Sequence, residues 1–464
     1  MSELNLTEFY SELAHQKASS QFIRAKRVAQ PDCRTVICST IDQLFKGMAV
    51  PVTFFYEEHL NISVLRESLE TVLADFSIFA GRLKAVDHKL LLECNNAGVQ
   101  FSHQTLDGSI AQMLKEIPTV DWQQFVDMID PKRAIARQEP LLTVKVSHFT
   151  AGGTALGLCW HHALGDMHTF MQLMKAWSAA ANGLSYEPPI AIEDRNVYIE
   201  SQVADNGNNT PTIRYLDTRS LIGLMSYMLF RARRKTFARF YFSEDELNNM
   251  KQTLSQKAGQ KLSRNDALCA HLCSWTAEFT PDWSGRYFGM PINCRVKTQL
   301  SKQALGNFIE VAMIRVDEGI QTHLLAKKIR HVVSNFESQY VSYFANLACI
   351  EKQGKEKISR FISRGVDPVN KTLTITNWTR FGVYDIIFSG SKPVYFTPSP
   401  TGGSSPPWLA LIVEGFSQQG LLYSAGLPSK TMKRLMRPDA LQKLHQYRSA
   451  EKSLSPLAQL PWVL

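Results

Sequence analysis

The sequence predicts a mixed α/β fold made of two domains of similar size that face each other across a cleft. The chain has 464 residues, about three times the length of a typical domain, which favours two large domains over one. Strand-like segments alternate with amphipathic helix-like segments in both halves. Between the halves, residues 186–234 include stretches rich in Pro, Asn and Asp, which are typical of a long connection.

Composition and charge narrow the class of protein and its partners. A hydrophobic content of 44% and a charged content of 20% are ordinary for a soluble globular protein. The net charge of +9 favours anionic partners, but its spread along the chain argues against nucleic acid. Eight scattered cysteines and a polar, acidic start with no signal-peptide pattern indicate a cytoplasmic protein. We expect it to be a monomer.

One apolar segment stands out, but it is too short to cross a membrane. Residues 220–230 (SLIGLMSYMLF) are followed by the basic stretch RARRK. A transmembrane helix needs roughly 20 apolar residues, so we expect no transmembrane segment. Residues 220–230 could lie on a membrane surface, but we favour a helix that packs its apolar residues against the protein.

The amino-terminal half contains predicted helices and strand pairs. Residues 65–76 carry apolar side chains at helical spacing, and a second helix follows Asp166 and ends near Gly183. The predicted strands cover residues 89–94, 99–103, 141–149 and 154–160. The last two are expected to form a hairpin around the turn residues AGGT.

The carboxyl-terminal half repeats this alternation. Predicted helices cover residues 244–254 and 263–279, and Ser263 is the expected N-cap of the second. The predicted strands cover residues 237–243, 287–295, 307–316, 371–378, 392–398, 409–416 and 420–427. The last two form a predicted hairpin around SQQG. The chain thus divides into an amino-terminal domain (1–190), a crossover connection (191–236) and a carboxyl-terminal domain (237–464).

The segment CWHHALGDMHTF, residues 159–170, lies where the strand of the first hairpin meets a helix. A neutral imidazole accepts protons near physiological pH, which makes histidine the usual general base. His162 and Asp166 flank three residues that do not compete for the proton, so the carboxylate can hold the turn beneath the imidazole. A buried carboxylate needs a cationic partner, and we expect Arg295 in PINCRVK to supply it.

The spacing of these two residues is a weak signal by itself. Twelve histidines, with Asp at roughly one position in twenty, predict about half a chance match to His-x-x-x-Asp. From the turn alone, we favour two histidines held by backbone groups over a catalytic base, and His161 is the more structural of the two. A metal site at Cys269, His271 and Cys273 is disfavoured because no second ligand pair has zinc-site spacing.

Further segments, in order along the chain, resemble the BAHD acyl-CoA-dependent acyltransferases. HHALGD is similar to the His-x-x-x-Asp motif of this family, and the resemblance covers nearly the whole chain. The similar blocks are STIDQL (39–44), SLETVLADFSIFAGRL (68–83), PLLTVKVSHFTAGGTALGLCWHHALGD (140–166), LSRNDALCAHLCSW (262–275), NCRVK (293–297), LGNFIEV (305–311) and NWTRFGVYDIIFSGSKPVYF (377–396). Ordered blocks of this length are far more specific than a motif of five residues.

This resemblance implies two chloramphenicol-acetyltransferase-like domains with an active-site channel at their interface. It implies acyl-CoA as co-substrate, no metal and no permanently bound cofactor. His162 would deprotonate a hydroxyl or amine of a small-molecule acceptor, such as a specialised metabolite, for direct attack on the thioester. Asp166 and Arg295 would support the loop structurally.

The resemblance also assigns expected roles in the carboxyl-terminal half. Trp378 and Thr379 would border the reacting carbonyl, where an indole N–H or a hydroxyl could donate to the developing oxyanion. Ser263, Arg264 and Arg380 would contact CoA. The positive net charge suits a ligand that carries several phosphates.

Two positions depart from the family pattern. Met167 replaces the glycine that usually follows the aspartate, so a positive φ at this position would strain the loop. Residues 387–391 (IFSGS) replace Asp-Phe-Gly-Trp-Gly, although Lys392 and Pro393 keep the register. Because this second motif lies away from the histidine in the family, its change bears on domain packing or the CoA loop rather than on chemistry.

Two other functions remain open. Condensation domains of peptide synthetases share the fold and a His-His-x-x-x-Asp-Gly motif, but their donor is attached to a carrier protein, for which this chain has no room. A non-catalytic, ligand-binding relic of the fold would also tolerate both departures. Use of free acyl-CoA as donor tests the first alternative, and substitution of His162 tests the second.

Overall fold

The structure, a computed structural model, describes residues 19–26, 34–115, 122–230, 234–283, 285–398, 406–449 and 462–463. The acidic start of the chain, on which the signal-peptide prediction rests, lies outside these residues. The strands, in chain order, are β1 (Ser19–Ile23), β2 (Thr35–Ile37), β3 (Ala49–Tyr56), β4 (Arg82–Val86), β5 (Lys89–Glu93), β6 (Val99–Leu106), β7 (Leu142–Phe149), β8 (Thr154–His161), β9 (Ile213–Tyr215), β10 (Lys235–Phe242), β11 (Tyr287–Asn293), β12 (Ile309–Arg315), β13 (Phe361–Ser363), β14 (Leu373–Asn377), β15 (Pro393–Pro398), β16 (Leu409–Glu414), β17 (Leu421–Pro428) and β18 (Trp462–Val463). The α-helices are α1 (Thr40–Leu44), α2 (Ile62–Val72), α3 (Ile110–Lys115), α4 (Pro131–Ile135), α5 (Met167–Ala181), α6 (Arg195–Gln202), α7 (Thr218–Phe230), α8 (Glu244–Ala258), α9 (Arg264–Phe279), α10 (Thr322–Ser334), α11 (Tyr343–Gln353), α12 (Ser429–Leu435) and α13 (Pro438–Leu444).

Two large sheets organise the described residues. The amino-terminal sheet has six strands in the order β1-β6-β7-β8-β3-β15, and the carboxyl-terminal sheet has seven in the order β12-β11-β14-β16-β17-β10-β18. Each sheet contributes to its own hydrophobic core. In the first domain α2 packs against α5, and in the second α9 packs against α8 and α10. The predicted mixed α/β class with two sheet-containing domains is confirmed.

Both predicted hairpins are present. β7 and β8 pair antiparallel, as do β16 and β17. Every residue of β8 is buried, because the strand lies between β7 and β3 inside the sheet and its apolar sequence suits that position. Because β8 is paired on both sides, the histidine turn that follows it starts from a fixed position in the sheet.

The amino-terminal sheet contains a strand from the carboxyl-terminal half of the chain. β15 pairs antiparallel with β3, so a segment assigned to the carboxyl-terminal domain completes the amino-terminal sheet. Residues 387–391 lead into this strand, and Phe388 packs edge-on against Tyr56 and Trp177, with ring centroids 6.2 and 5.0 Å apart. A segment of the predicted domain 237–464 thus belongs to the amino-terminal sheet, because strand pairing depends on tertiary contacts rather than on chain order.

The crossover connection contains regular structure. It carries α6, the short strand β9, which pairs with β13, and α7. The prediction that residues 220–230 pack their apolar side chains against the protein is wrong: α7 forms there but has no buried residue. In the described part of the chain, no helix is long and apolar enough to cross a membrane.

Candidate active site

His162 lies in one 3₁₀ turn, His162–Leu164, directly after β8. Its backbone N–H donates to the carbonyl of Met48 at 2.9 Å. Asp166 then caps the amino terminus of α5, with a carboxylate oxygen 3.0 Å from the backbone nitrogen of Thr169. An N-cap of this kind satisfies an otherwise unpaired helix N–H. A strand end and a capped helix therefore fix the two motif residues on either side of the turn.

Gly165 permits the close return of this turn. A Cβ atom there would lie 2.6 Å from side-chain atoms of Thr169, which is closer than non-bonded carbon atoms approach. The indole N–H of Trp160 donates to the Gly165 carbonyl at 3.0 Å, and its ring stacks on Phe170. Met167, where the resemblance leads one to expect glycine, is the first residue of α5 and has no positive φ. The expected strain at Met167 is absent.

The structure brings Asp166 and Arg295 together, as expected from the sequence. Arg295 Nη1 lies 2.7 Å from Asp166 Oδ2, and both side chains are buried. Burial alone raises the pKa of Asp166, but the charge and hydrogen bond of Arg295 lower it below its usual value. The carboxylate therefore stays ionised and does not compete for the proton of an acceptor.

Arg295 also holds the opposing loop of the carboxyl-terminal domain. Its Nη2 donates to the carbonyls of Ala304 and Gly306, each at 2.9 Å, and its guanidinium lies 4.5 Å from the ring centroid of Phe308. A planar guanidinium can make several directed hydrogen bonds at once, which a lysine cannot. One side chain thus links the helix cap of one domain to a loop of the other.

A second buried arginine, Arg195, supports the turn from the other side. Its Nη1 lies 2.9 Å from Asp42 Oδ2 and 3.0 Å from the carbonyl of Ala163, and its Nη2 lies 3.0 Å from the carbonyl of Leu164. Arg195 begins α6 within the Pro- and Asn-rich connection, where no local pattern indicated a role. Sequence reasoning missed this residue.

Asp42 and Asn307 complete the support behind the histidine. The Asn307 side-chain amide donates to the His162 carbonyl at 2.7 Å and to Asp42 Oδ1 at 2.8 Å. These two residues lie in the blocks STIDQL and LGNFIEV, which resemble the family, but their spacing gave no sign that they meet. The backbone on both sides of the imidazole is therefore held by buried, hydrogen-bonded side chains.

The His162 imidazole stacks on Phe45 with centroids 4.5 Å apart. Its Nδ1 is buried and makes no regular hydrogen bond within the described residues. Burial lowers the pKa of His162, and its own backbone carbonyl, the charge of Asp166 and Asn307 offset part of that effect. Burial likewise lowers the pKa of His161 to about 4, and its Nδ1 accepts from the Ala163 N–H at 3.2 Å. Both rings are therefore neutral at pH 7.

A cavity of about 410 Å³ lies between the two sheets, and His162 lines it. The amino-terminal domain contributes Phe45, Met48, Val50, Ile129, Trp160, Met167 and His168. The carboxyl-terminal domain contributes Phe237, Arg239, Pro291, Asn293, Ile309, Thr376, Asn377, Trp378, Leu409 and Leu411. The lining is mainly apolar with a few polar groups, which is typical of a small-molecule site.

Of the two residues expected to border the reacting carbonyl, only one faces the cavity. Trp378 lines the cavity, whereas Thr379 does not: its backbone N–H donates to Asn377 Oδ1 at 2.8 Å, and Asn377 is the residue that faces the cavity. Sequence reasoning therefore missed Asn377, which directly precedes Trp378 in the chain.

The three expected CoA contacts lie outside the cavity lining. Ser263 caps α9 through a reciprocal pair of hydrogen bonds with Asp266. Arg264 pairs with Glu244 at 2.7 Å. Arg380 is exposed and adopts a φ of 69°.

No group of three His, Cys, Asp or Glu side chains within the described ranges is placed to hold a metal ion. Of the three residues considered for such a site, Cys269, His271 and Cys273, all lie buried in α9. The Nε2 atom of His271 is 2.7 Å from the carbonyl oxygen of Leu444. This histidine thus has a structural partner.

Comparison with known proteins agrees with this architecture. A hydroxycinnamoyltransferase from Narcissus pseudonarcissus is 24% identical over 420 residues, which cover 83% of this chain and 90% of that protein. The crystal structure of vinorine synthase matches with a TM-score of 0.67 and 18% identity, covering 92% and 98% of the two chains. TRI101 of F. graminearum in complex with coenzyme A and deoxynivalenol matches with a TM-score of 0.71 and 13% identity, covering 88% and 98%. The model of the Transferase family matches residues 16–437, and the chain therefore belongs to that family, the BAHD acyltransferases.

Proposed function

We propose that the protein transfers an acyl group from acyl-CoA to a hydroxyl or amine of a small-molecule acceptor, with His162 as the general base. One observation carries the proposal: a neutral imidazole borders the cavity between the two sheets, on a turn that buried arginines hold from both sides. A base held in place in this way needs little reorganisation before proton transfer, which favours general base catalysis.

The acyl group passes directly from the thioester to the acceptor, without an acyl-enzyme. His162 Nε2, the nitrogen opposite the buried Nδ1, accepts the proton of the acceptor hydroxyl. The acceptor oxygen attacks the thioester carbonyl, and the C–S bond breaks as the tetrahedral intermediate collapses. The imidazolium returns its proton to the departing CoA thiolate, so the enzyme ends in its starting state. Asp166 stays ionised and paired with Arg295, and its role is to position the turn.

Trp378 is the proposed donor to the developing oxyanion. It lines the same cavity as His162 but belongs to the other domain, so a carbonyl bound between them would meet a base on one side and an N–H on the other. Loss of one such donor typically lowers kcat by about 10²–10³-fold. Thr379 acts on the neighbouring Asn377 rather than on the reacting atoms.

The donor is acyl-CoA, used as a co-substrate. The TRI101 structure with which this chain shares its fold holds coenzyme A, and a net charge of +9 suits a ligand with several phosphates. Ser263, Arg264 and Arg380 remain candidate contacts for the nucleotide end of CoA, because they lie outside the cavity that the acyl end would enter. The mainly apolar lining favours an acceptor with an apolar body and one reactive hydroxyl or amine.

The test is the release of free thiol from a panel of acyl-CoAs with candidate alcohols and amines. We expect release only when an acceptor is present, and a loss of about 10²–10⁴-fold in kcat/KM for His162→Ala. His331→Ala is the matched control, because this histidine is exposed on α10 and does not line the cavity. It should retain full activity.

Other outcomes would overturn the mechanism or the donor. A burst of thiol without acceptor would indicate an acyl-enzyme. Turnover with an acylated carrier protein but not with free acyl-CoA would indicate a condensation-type enzyme. Ligand binding without turnover, unaffected by His162→Ala, would indicate a non-catalytic relic.

A further inference from the structure

Helix α7 exposes an apolar face to solvent. Its most exposed apolar side chains are Ile222 (63%), Met225 (57%), Leu229 (54%) and Phe230 (71%). The spacing of the first three places them on one side of the helix, whereas Leu221, Leu224 and Tyr227 on the other side are partly covered. A surface helix normally turns its polar side outward, so this arrangement is the reverse of the usual one.

The chain from α7 to β10 is basic, although Asp217 directly precedes the helix and accepts from the Ser220 N–H at 2.7 Å. From residue 218 to residue 242 there is no Asp or Glu, whereas Arg219 lies in the first turn of the helix and Arg231, Arg233, Arg234 and Lys235 follow it in the sequence. Among those that the structure describes, Arg219 and Arg234 are exposed. Apolar surface and positive charge are therefore combined on one short segment.

We propose that α7, with the exposed Arg219 and Arg234 near its two ends, binds the surface of a bilayer that contains anionic phospholipid. An interfacial helix inserts its apolar side to the boundary between headgroups and acyl chains, and adjacent Lys and Arg residues add attraction to anionic headgroups. The helix has 13 residues, which corresponds to a length of about 20 Å, so it lies along the surface and does not cross the membrane.

The same charges argue against a second copy of the chain as the occupant. A symmetric dimer places the same patch of both protomers face to face, and here it would bring two patches together in which basic residues outnumber Asp217, the acidic residue next to the helix. The exposed side chains also offer methyl, thioether and phenyl groups but few hydrogen-bond partners. Lipid acyl chains form no hydrogen bonds with the protein, whereas the rim of a protein interface is polar and contains them.

Helix α7 is close in the sequence to a strand that lines the cavity. In the sequence, four residues (231–234) separate α7 from β10, and Phe237 and Arg239 of β10 line the cavity. A bound bilayer would therefore lie a few residues along the chain from the cavity, where an apolar acceptor or a long-chain acyl donor partitions from the membrane. Vesicle binding requires no turnover, so this inference can succeed or fail independently of the proposed function.

The test is flotation of the full-length protein with vesicles of phosphatidylcholine alone or with about 30 mol% phosphatidylserine. We expect binding to the mixed vesicles, weaker binding at raised salt, and at least about tenfold weaker binding of Met225→Glu/Leu229→Glu. Arg219→Gln/Arg234→Gln should lose the preference for phosphatidylserine. Val197→Glu/Leu324→Glu is the matched control, since both residues are exposed and apolar on other helices, and it should bind like the wild type.

Thermal unfolding of each variant shows whether it is folded, and exposed positions should leave the midpoint unchanged. The proposal is overturned if the wild type binds neither vesicle or if Met225→Glu/Leu229→Glu binds as well as the control. It is also overturned if light scattering shows a dimer that this variant alone converts to a monomer, or if binding appears only after removal of residues 1–18. The first of these two results would assign the face to a second copy, and the second would assign it to the amino-terminal segment.

Discussion

At the level of single residues, the chemistry of His162 depends on how its surroundings balance two protonation states. Burial favours the neutral ring, whereas the charge of Asp166 favours the protonated ring, and burial is the larger effect. Arg295 keeps Asp166 ionised and also donates hydrogen bonds to the carbonyls of Ala304 and Gly306. The imidazole is thus a weak base held in a fixed place.

The first prediction concerns pH. Because the pKa of His162 is lowered from 6.5, the ring stays neutral and competent as a base at pH values where an exposed histidine is protonated. The acidic limb of kcat/KM should therefore have its midpoint below pH 6.5. A rate profile from pH 4.5 to 8, with stability checked at each pH, measures it. An acidic limb centred above pH 6.5 would contradict the proposed environment of the base.

The second prediction concerns the buried ion pair. Asp166→Asn keeps an oxygen for the helix cap but removes the charge that Arg295 faces, and a buried charge without its partner costs about 3–5 kcal/mol. Urea unfolding should show a loss of this size. Asp439→Asn breaks an exposed pair with Arg437 at 2.8 Å and should cost less than about 1 kcal/mol. Equal losses in the two variants would mean that Asp166–Arg295 does not support the site.

The same variant has a second readout in the pH profile. Without the negative charge of Asp166, the protonated imidazole loses one of the groups that favour it. The acidic limb of any residual activity in Asp166→Asn should therefore move to lower pH. A purely global loss of stability would leave the position of that limb unchanged.

At the level of elements, the turn after β8 is held by parts of the chain that are distant in sequence. α6 reaches it through Arg195, and the loop before β12 reaches it through Asn307. The elements that could be predicted from local patterns, such as the β7–β8 hairpin and α5, present the histidine. The elements that hold it in place come from the connection and from the other domain.

The third prediction tests the support from α6. Arg195→Lys keeps a positive charge near Asp42 but cannot bridge the carboxylate and both carbonyls of the turn as a guanidinium does. A small displacement of the base lowers turnover strongly, so kcat should fall on the order of 10–100-fold. The KM for acyl-CoA should change by less than about threefold, because uniform binding is not affected. Steady-state kinetics with a saturating acceptor separates the two parameters.

A structural role that is merely global would behave differently in this experiment. It would lower the active fraction of enzyme and leave kcat per folded molecule unchanged, which active-site titration detects. Arg437→Lys, at an exposed position, provides the matched control and should match the wild type in both parameters.

At the level of the whole molecule, the two domains are interlocked. β15 completes the amino-terminal sheet from the carboxyl-terminal part of the chain, and Arg295 joins a loop of the second domain to the helix cap of the first. The cavity between the sheets is lined by both domains. Its shape therefore depends on these cross-connections as well as on each core.

The fourth prediction follows from the interlock. A fragment of residues 1–190 lacks β15, so the edge of β3 is left unpaired, and open sheet edges promote aggregation. We expect this fragment to aggregate when expressed alone. The same fragment joined to residues 383–398 by a Gly/Ser linker should be more soluble and show cooperative unfolding. A folded, monomeric 1–190 fragment would contradict the importance of β15.

The sequence by itself determined the local elements and the candidate base. Alternating apolar residues predicted β7, the turn residues AGGT predicted that β8 follows it as a hairpin, and helical spacing predicted α5. The family resemblance pointed to His162, and the need of a buried carboxylate for a cation pointed to the pairing of Asp166 with Arg295. These features depend on periodicity, caps and turns within a few residues, or on motifs that survive as continuous blocks. They can be recognised without knowing which parts of the chain meet.

Only the tertiary structure decided which distant segments surround the base and which faces remain uncovered. Asn307 lies 145 positions from His162 along the chain, and β15 pairs with a strand more than 300 positions away. The exposure of α7 was likewise decided by packing, because an apolar run of that length suits a buried helix as well as an interfacial one. Contacts between distant residues depend on how complete elements pack, and local sequence patterns contain no record of that packing.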